Sequence, residues 1–491
     1  MGSIDPQSQS QPFDVKNIAI IGAGPCGLSA AKYLLVQESF DSIVIYEQNP
    51  EVGGVWFYSP QPSTTLRVPQ TSAFAPPSPP LRSQPPVFPS PMYELLNTNI
   101  PWTLMKYGDK PFPEDSVIFP PRQAVQDYLV DYAQEIRHLI KFSTTVKDVK
   151  LHRHPSGKDQ WTIETQNLLD PSSYSSFATF DAVVVASGHY ALPYIPSVPN
   201  IATFHDTHPS IISHAKSYRS PVPFTSQRVL VVGNAASGLD IASQISHHAT
   251  PPLFLSAHEP TPDDQLARIP GCVQVPAIAE YLPHQCGVRF ADGRVETNLD
   301  AIVYCTGYFF TFPFFNNAAA TLTPPGLVTE DGRRVYGLYK HLFHIDHPTL
   351  VFPGLPIRVV PFPVSEAQAA VFARVWANQL LLPSKLEMAQ WEANEAEAAR
   401  ERGSGFHVFP KGGDAAYLDE FHAWAVRAEA GSGQKKGKEP PVWSAEQKWQ
   451  RASYVEAKLK FEMTGRTAKS LAELGFVYTP PSEVEEPQDI V

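Results

Sequence analysis

Two glycine-rich stretches carry the clearest chemistry in this chain. In the first, a β-branched run at Ile18–Ile21 enters Gly22-Ala23-Gly24-Pro25-Cys26-Gly27, and an apolar helical pattern follows at Leu28, Ala31, Leu34 and Leu35. Gly22 permits a sharp turn off a strand, Gly24 a close approach of backbone to a pyrophosphate, and Gly27 tight packing of helix on strand. The start of such a helix offers free N–H groups and a partial positive charge to phosphate. Glu47 closes a second apolar run 20 residues after Gly27, where an acid would bond ribose hydroxyls. Strand, loop, helix, strand and acid in this order predict a dinucleotide site. The loop alone does not say whether the adenosine belongs to NAD or FAD.

The second stretch is a weaker copy. Arg228–Val232 enters Gly233-Asn234-Ala235-Ala236-Ser237-Gly238, and Leu239, Ile241, Ala242 and Ile245 continue as a helix. Ala235 stands where the middle glycine would be. The next strand, Leu253–Ser256, ends at Ala257-His258 without an acid. An acid there would select the 2′-hydroxyl of NAD, so its absence leans towards NADP. An internal echo brackets this unit. Phe180-Asp181-Ala182-Val183-Val184-Val185-Ala186-Ser187-Gly188-His189-Tyr190 matches Leu299-Asp300-Ala301-Ile302-Val303-Tyr304-Cys305-Thr306-Gly307-Tyr308 in residue order. Twin strand ends at Gly188 and Gly307 mark places where the chain passes a cofactor or switches domain.

These sites need a scaffold, and 491 residues suffice for two or three domains with a large core. A net charge of -11 without a basic patch argues against a nucleic-acid partner. Cys26, Cys272, Cys286 and Cys305 form no CxxC pair, and the 16 histidines show no metal-ligand spacing. That pattern predicts a reducing compartment and no metal. The polar first 15 residues do not read as a signal peptide, and no apolar run reaches spanning length. Nor does Met1–Pro6 fit a myristoylation signal. The expectation is a soluble, cytoplasmic protein.

Residues 1–14 read as disordered. Eleven prolines between 58 and 91 exclude a central strand or long helix and predict an extended excursion. Pro121 opens an amphipathic helix over Arg122–Leu139, and Thr144–Leu151 and Gln160–Thr165 read as strands. Ser365 and Gln368 form a capping-box pattern at the head of a helix running to Leu382. Its dipole is a candidate to face the pyrimidine end of a flavin. Further helices are expected at 384–402, 413–428 and 444–463, with a flexible segment at Gly431–Pro441 and an acidic tail over 481–491. The fold class is α/β, with two Rossmann-like dinucleotide domains. An NADPH-binding domain at 205–310 is inserted into a discontinuous FAD domain, 15–204 and 311–480.

Two dinucleotide sites in one chain suggest hydride transfer from NAD(P)H to FAD. A disulfide acceptor would need a cysteine pair, which leaves oxygen as the common alternative. At this point the sequence resembles the flavin-containing monooxygenases, the class B group, and most of all their fungal members. The resemblance spans roughly 15–465. It rests on the first loop with Glu47 and Gly53-Gly54-Val55-Trp56. It continues through Leu96-Asn97-Thr98-Asn99-Ile100-Pro101 with Met105, and through Gly188-His189-Tyr190, the second loop and Cys305-Thr306-Gly307-Tyr308. The family fingerprint FxGxxxHxxx(Y/F) reads His208-Pro209-Ser210-Ile211-Ile212-Ser213-His214-Ala215-Lys216-Ser217-Tyr218, so His214 and Tyr218 match while His208 and Ser210 depart.

The resemblance implies NADPH- and O2-dependent oxygenation of a nitrogen or sulfur nucleophile through a flavin C4a-hydroperoxide. It implies FAD on Gly22, Ala23, Gly24, Pro25, Cys26, Gly27, Glu47, Gly54, Val55, Trp56 and Thr98, and the NADP pyrophosphate on Gly233, Asn234, Ala236, Ser237 and Gly238. Gly307 joins the cofactor set. Asn99 is the implied catalytic amide. The partners implied are a small-molecule nucleophile and O2, without a membrane span, and a homodimer is compatible. Alternatives are a Baeyer–Villiger enzyme, whose fingerprint ends in Trp, an amino-acid N-hydroxylase, or a degenerate flavoprotein that only binds.

Overall fold

The computed structural model describes residues 12–62, 65–153, 157–170, 172, 174–315 and 326–480. The expected N-terminal disorder lies outside these residues except at 12–14, and the acidic tail lies wholly outside them.

The chain begins with β1 (Asn17–Ile21), α1 (Pro25–Val36) and β2 (Ser42–Tyr46). After the excursion come α2 (Trp102–Met105), α3 (Arg122–Tyr132) and β3 (Ile140–Lys141). An antiparallel meander follows, β4 (Thr144–Arg153), β5 (Asp159–Asn167) and β6 (Ser176–Phe180), and then β7 (Ala182–Val185). The helix expected over 122–139 is shorter than its apolar pattern. It stops at Tyr132, and Gln134–Leu139 tightens into 3₁₀ geometry. This places Arg137 where both its terminal nitrogens reach the Glu51 carboxylate, at 2.6 and 2.8 Å.

The chain then crosses to a second unit through β8 (Leu192–Pro193). That unit holds α4 (Ile201–Thr207), β9 (Ile212–His214), β10 (Val229–Val232), α5 (Ala236–Ser246), β11 (Leu253–Ser256), α6 (Asp263–Leu266) and β12 (Cys272–Val275). A small antiparallel sheet, β13 (Ile278–Leu282), β14 (Gly287–Phe290) and β15 (Val295–Glu296), precedes β16 (Ala301–Tyr304). The return strand β17 (Tyr308–Phe309) pairs antiparallel with β8, so exit and re-entry form one two-stranded ribbon. Helix α4 runs across the boundary expected at 204/205. Ile195, Ile201 and Phe204 pack with Leu230 and Ile302, so the inserted unit begins before residue 205.

The first unit is completed by β18 (Leu338–Tyr339), β19 (Phe343–His344) and β20 (Leu350–Val351), then α7 (Pro361–Trp376), α8 (Lys385–Glu401), α9 (Gly413–Ala425) and α10 (Ala445–Met463). Its sheet has the order β18-β19-β20-β7-β1-β2-β3, and the second unit's has β12-β11-β10-β16-β9. In both, the strand that enters the glycine loop (β1, β10) sits between two parallel neighbours, which puts the two loops at the carboxyl ends where ligands bind in open α/β sheets.

Helix α7 is buried from Phe362 to Trp376 and packs against α1 and α9. The expected capping box does not form. The helix starts at Pro361, four residues early; the Ser365 hydroxyl donates to Phe362 O, and Gln368 bonds Gly354 N–H and Tyr417 instead. The segment Gly431–Pro441 is tied down rather than loose. Lys438 pairs with buried Glu366 at 2.9 Å, and Arg374 and Gln379 donate to its backbone carbonyls.

Candidate cofactor and active site

At the first loop, Gly22 has φ 104° and its N–H donates to Tyr46 O at 2.8 Å. A Cβ on Gly22 would stand 2.5 Å from Ala186 O, and one on Gly27 would stand 1.9 Å from Gly22 O. No side chain fits in that knot. Pro25 takes the first helical position, and the N–H groups of Cys26 and Gly27 find no acceptor among the described residues. Gly53 and Gly54, at φ 121° and 56°, cross directly over the loop: a Cβ on Gly54 would lie 2.9 Å from Gly24 Cα. Val55 and half-buried Trp56 follow in a 3₁₀ turn. The result is an open cradle of backbone donors at a helix N-terminus, which suits a pyrophosphate.

Glu47 is almost fully buried at the end of β2. One carboxylate oxygen accepts from Ala23 N–H at 2.7 Å and the other from Asn49 N–H at 2.8 Å. Burial pushes its pKa up from the usual carboxylate value, and those amides only partly pull it back down. It therefore ties the glycine loop to the second strand and keeps a second lone pair on each oxygen for a hydroxyl.

The second loop repeats this geometry nearly residue for residue. Gly233 has φ 109° and donates to Ser256 O at 2.8 Å. Its missing Cβ would stand 2.7 Å from Cys305 O, and that of Gly238 1.9 Å from Gly233 O. Ala235 has φ −80° against −78° for Gly24, a conformation any residue adopts. The alanine thus adds no backbone strain to the loop, whereas a Cβ at Gly24 would stand 3.3 Å from Gly54 Cα. The N–H groups of Ala236, Ser237 and Gly238 again find no acceptor among the described residues. Asn234 is held to Glu259 O and Thr261 at 3.0 and 3.1 Å.

The internal echo now has a physical meaning. Ala186 and Cys305 lie under the first glycine of each loop, while Gly188 and Gly307, at φ 69° and 83°, turn the chain into the ribbon. Gly307 O accepts from Tyr194 N–H, and Thr306 donates to Tyr194 O at 2.5 Å. Both glycines mark the change of domain.

Thr98 is buried and spends its hydroxyl on Ile100 O at 2.8 Å and its N–H on Pro120 O. This closes the turn that presents Asn99, whose exposed side chain has no hydrogen bond among the described residues. His214 ends β9; its Nδ1 accepts from Lys216 N–H at 3.1 Å, and burial pushes it down to about 3. Tyr218 donates to Gln244 at 3.0 Å. His214 and Tyr218 thus hold the turn that enters the second unit. Sequence reasoning missed Arg219, Tyr93 and Asp240, which join that turn to the first unit; no short-range pattern marks them. Among the described residues no group of His, Cys, Asp and Glu could hold a metal ion, and the four cysteines are free.

A family model described as flavin-binding monooxygenase-like matches residues 89–262 and 256–425. The chain belongs to this family. A model of an NAD(P)-binding Rossmann-like domain matches residues 20–83. The chain is 30% identical over 417 residues to the thiol-specific monooxygenase of Saccharomyces cerevisiae, covering 83% of this chain and 85% of that one. It is 28% identical over 492 residues to the flavin-containing monooxygenase iboF of Amanita muscaria, covering 87% and 91%. Among solved structures, the S-allyl-L-cysteine S-oxygenase of Allium sativum aligns with a TM-score of 0.75 and 26% identity, over 94% of this chain and 97% of that one. The protein is a flavin-containing monooxygenase, an oxidoreductase with flavin and NAD(P) sites. Among the described residues no helix is long and apolar enough to cross a membrane.

Proposed function

We propose that this monooxygenase uses FAD and NADPH with O2 to oxygenate a soft nucleophile, sulfur or nitrogen, of a small molecule. The observation that carries this is the pair of equivalent glycine loops in one chain, one on each side of the ribbon. Bound in these loops, the flavin would take hydride from the nicotinamide and activate oxygen.

The residues then divide the work. Gly22, Gly24 and Gly27 make room for the FAD pyrophosphate, and the free amides of Cys26 and Gly27 bond it. Glu47 holds the ribose through its remaining lone pairs. Gly54, Val55 and Trp56 wall the flavin. The amides of Ala236, Ser237 and Gly238 take the NADP pyrophosphate. Ala257 follows β11 where Glu47 follows β2, so no carboxylate stands at that position to oppose a 2′-phosphate. Asn99 presents its free amide to the reacting oxygen or to the nicotinamide ribose, holding one hydrogen bond and keeping water from that edge. No acid–base triad is required.

Sulfur is the first substrate class to test, because two relatives are named for a thiol and an S-allyl cysteine. Purified protein should be yellow, should oxidise NADPH, and should carry one atom of ¹⁸O₂ into a thiol, thioether or amine of a small panel. A protein that takes up no flavin and labels no member of that panel would refute the proposal.

A further inference from the structure

We infer that Arg219 is a positioning residue: it straps the proline-rich excursion 58–91 to the turn entering the inserted unit, and so sets how the two nucleotide sites face each other. The effect on turnover rests on the function proposed above; the strap itself rests on geometry.

The Arg219 guanidinium donates to carbonyls of three separate segments. Nε reaches Ser59 O at 2.8 Å, Nη1 reaches Lys216 O and Tyr218 O at 2.9 and 2.8 Å, and Nη2 reaches Ser90 O at 3.2 Å and Gln61 O at 3.5 Å. Ser59 and Ser90 are the two ends of the excursion. One side chain therefore gathers both ends and the fingerprint turn. Its own carbonyl accepts from Glu94 N–H at 2.8 Å, which locks the chain just past the excursion as well. A planar guanidinium has five donors in a fixed fork and can serve all of these carbonyls; an ammonium has three donors and one centre.

Between its ends the excursion does not stay with its own unit. Leu66 and Val68 pack on the core of the inserted unit. Gln70 and Ile195 exchange two backbone hydrogen bonds of 3.0 Å, and Ala73 packs with Leu192 and Phe309 of the ribbon. A second contact lies beyond it. Tyr93 donates to Asp240 on α5, Gln244 donates to Asp240 at 3.1 Å, and the Tyr93 and Tyr218 rings meet edge-on with centroids 5.2 Å apart. Beside this seam is a cavity of about 410 Å³, lined from both units by Glu94, Asn97, Pro221, Gln244, His247 and Arg466.

Hydride transfer is sensitive to errors of about 1 Å in the placement of its partners. A loosened strap should therefore cost coupling before it costs flavin. The test compares the parent holoenzyme with Arg219→Met, which keeps the stem and loses the donors, and Arg219→Lys, which keeps the charge. Amide hydrogen exchange is read across 66–73 and 90–94 and across the first glycine loop, without turnover. NADPH oxidised is then compared with product formed and hydrogen peroxide released. The expected result is several-fold faster exchange at 66–73 and 90–94 with an unchanged first loop and flavin content, a raised peroxide fraction, and partial recovery in the Lys variant. Parent-like exchange and coupling in Arg219→Met overturn the inference. Should that variant not fold, Arg219→Lys carries the same two readings. A parent enzyme that oxygenates nothing sinks the proposed function instead, and the exchange result alone then judges the strap.

Discussion

The carbonyl oxygen of Ala186 lies 2.5 Å from the point where a Cβ on Gly22 would stand. Cys305 stands in the same relation to Gly233, at 2.7 Å. Both glycines also have positive φ, so each alanine substitution adds backbone strain of about 1–3 kcal/mol to a collision with main chain. Gly22→Ala should yield protein without bound flavin. Gly233→Ala should keep its flavin and lose NADPH affinity by roughly ten-fold or more, about 1.4 kcal/mol. Ala235→Gly, at a φ open to every residue, should leave that affinity within about two-fold. Flavin absorbance and a nucleotide titration decide all three.

The Asn99 side chain is exposed and makes no hydrogen bond among the described residues, so its removal should be read in chemistry. Asn99→Ala should change stability by less than about 0.5 kcal/mol, continue to oxidise NADPH, and release a larger share of the oxygen as hydrogen peroxide. Thr98→Ala, in contrast, should lower the melting temperature, because its buried hydroxyl closes the turn on Ile100. An unchanged coupling ratio in the Asn99 variant would remove it from the site.

Arg451 and Asp414 form a buried pair with Nε 2.8 Å from the nearer carboxylate oxygen and side chains 7% and 0% exposed. The same carboxylate accepts from Val360 N–H at the head of α7. Arg451→Met leaves that charge uncompensated and should cost about 3–5 kcal/mol, seen as a lower urea midpoint. Arg400→Ala, which breaks an exposed pair on α8, should leave the midpoint where it was.

Burial holds several histidines neutral: His189 and His344 are pushed down to about 4, and His214 and His341 to about 3. Below their ordinary value of 6.5 the unfolded chain binds protons that the folded chain refuses, so stability falls as pH falls from about 6.5 towards 4. Each such group adds a slope of up to about 1.4 kcal/mol per pH unit. Urea unfolding at pH 7.5, 6.5 and 5.5 should show a midpoint that is flat and then declines. His341→Gln should reduce the decline.

The first loop was legible because every determinant is local: strand, glycines, helix and acid lie within 31 residues, Asn17 to Glu47. The second loop was legible despite Ala235, because its backbone needs no glycine there. The box expected at Ser365 failed for the opposite reason. Gln368 bonds Gly354 and Tyr417, partners that only the folded chain supplies, whereas the boxes at Ser384–Glu387 and Ser444–Gln447 form from adjacent turns. The excursion was readable as extended, but not its destination. Proline content excludes regular structure; it does not say that Gln70 will pair with Ile195 or that Arg219 will gather both ends.

The ribbon of β8 and β17 has a kinematic consequence. A body joined to another by two adjacent strands resembles a door on a hinge, with one rotation left free. The excursion at Gln70 and the Tyr93 side chain are then a latch on the frame, caught by Arg219 and Asp240 on the door. Part of its grip is therefore set by sequence in the unit that carries the first loop. Substitutions between residues 58 and 93 can therefore retune the swing of the inserted unit while leaving every residue of that unit, and its nucleotide loop, untouched.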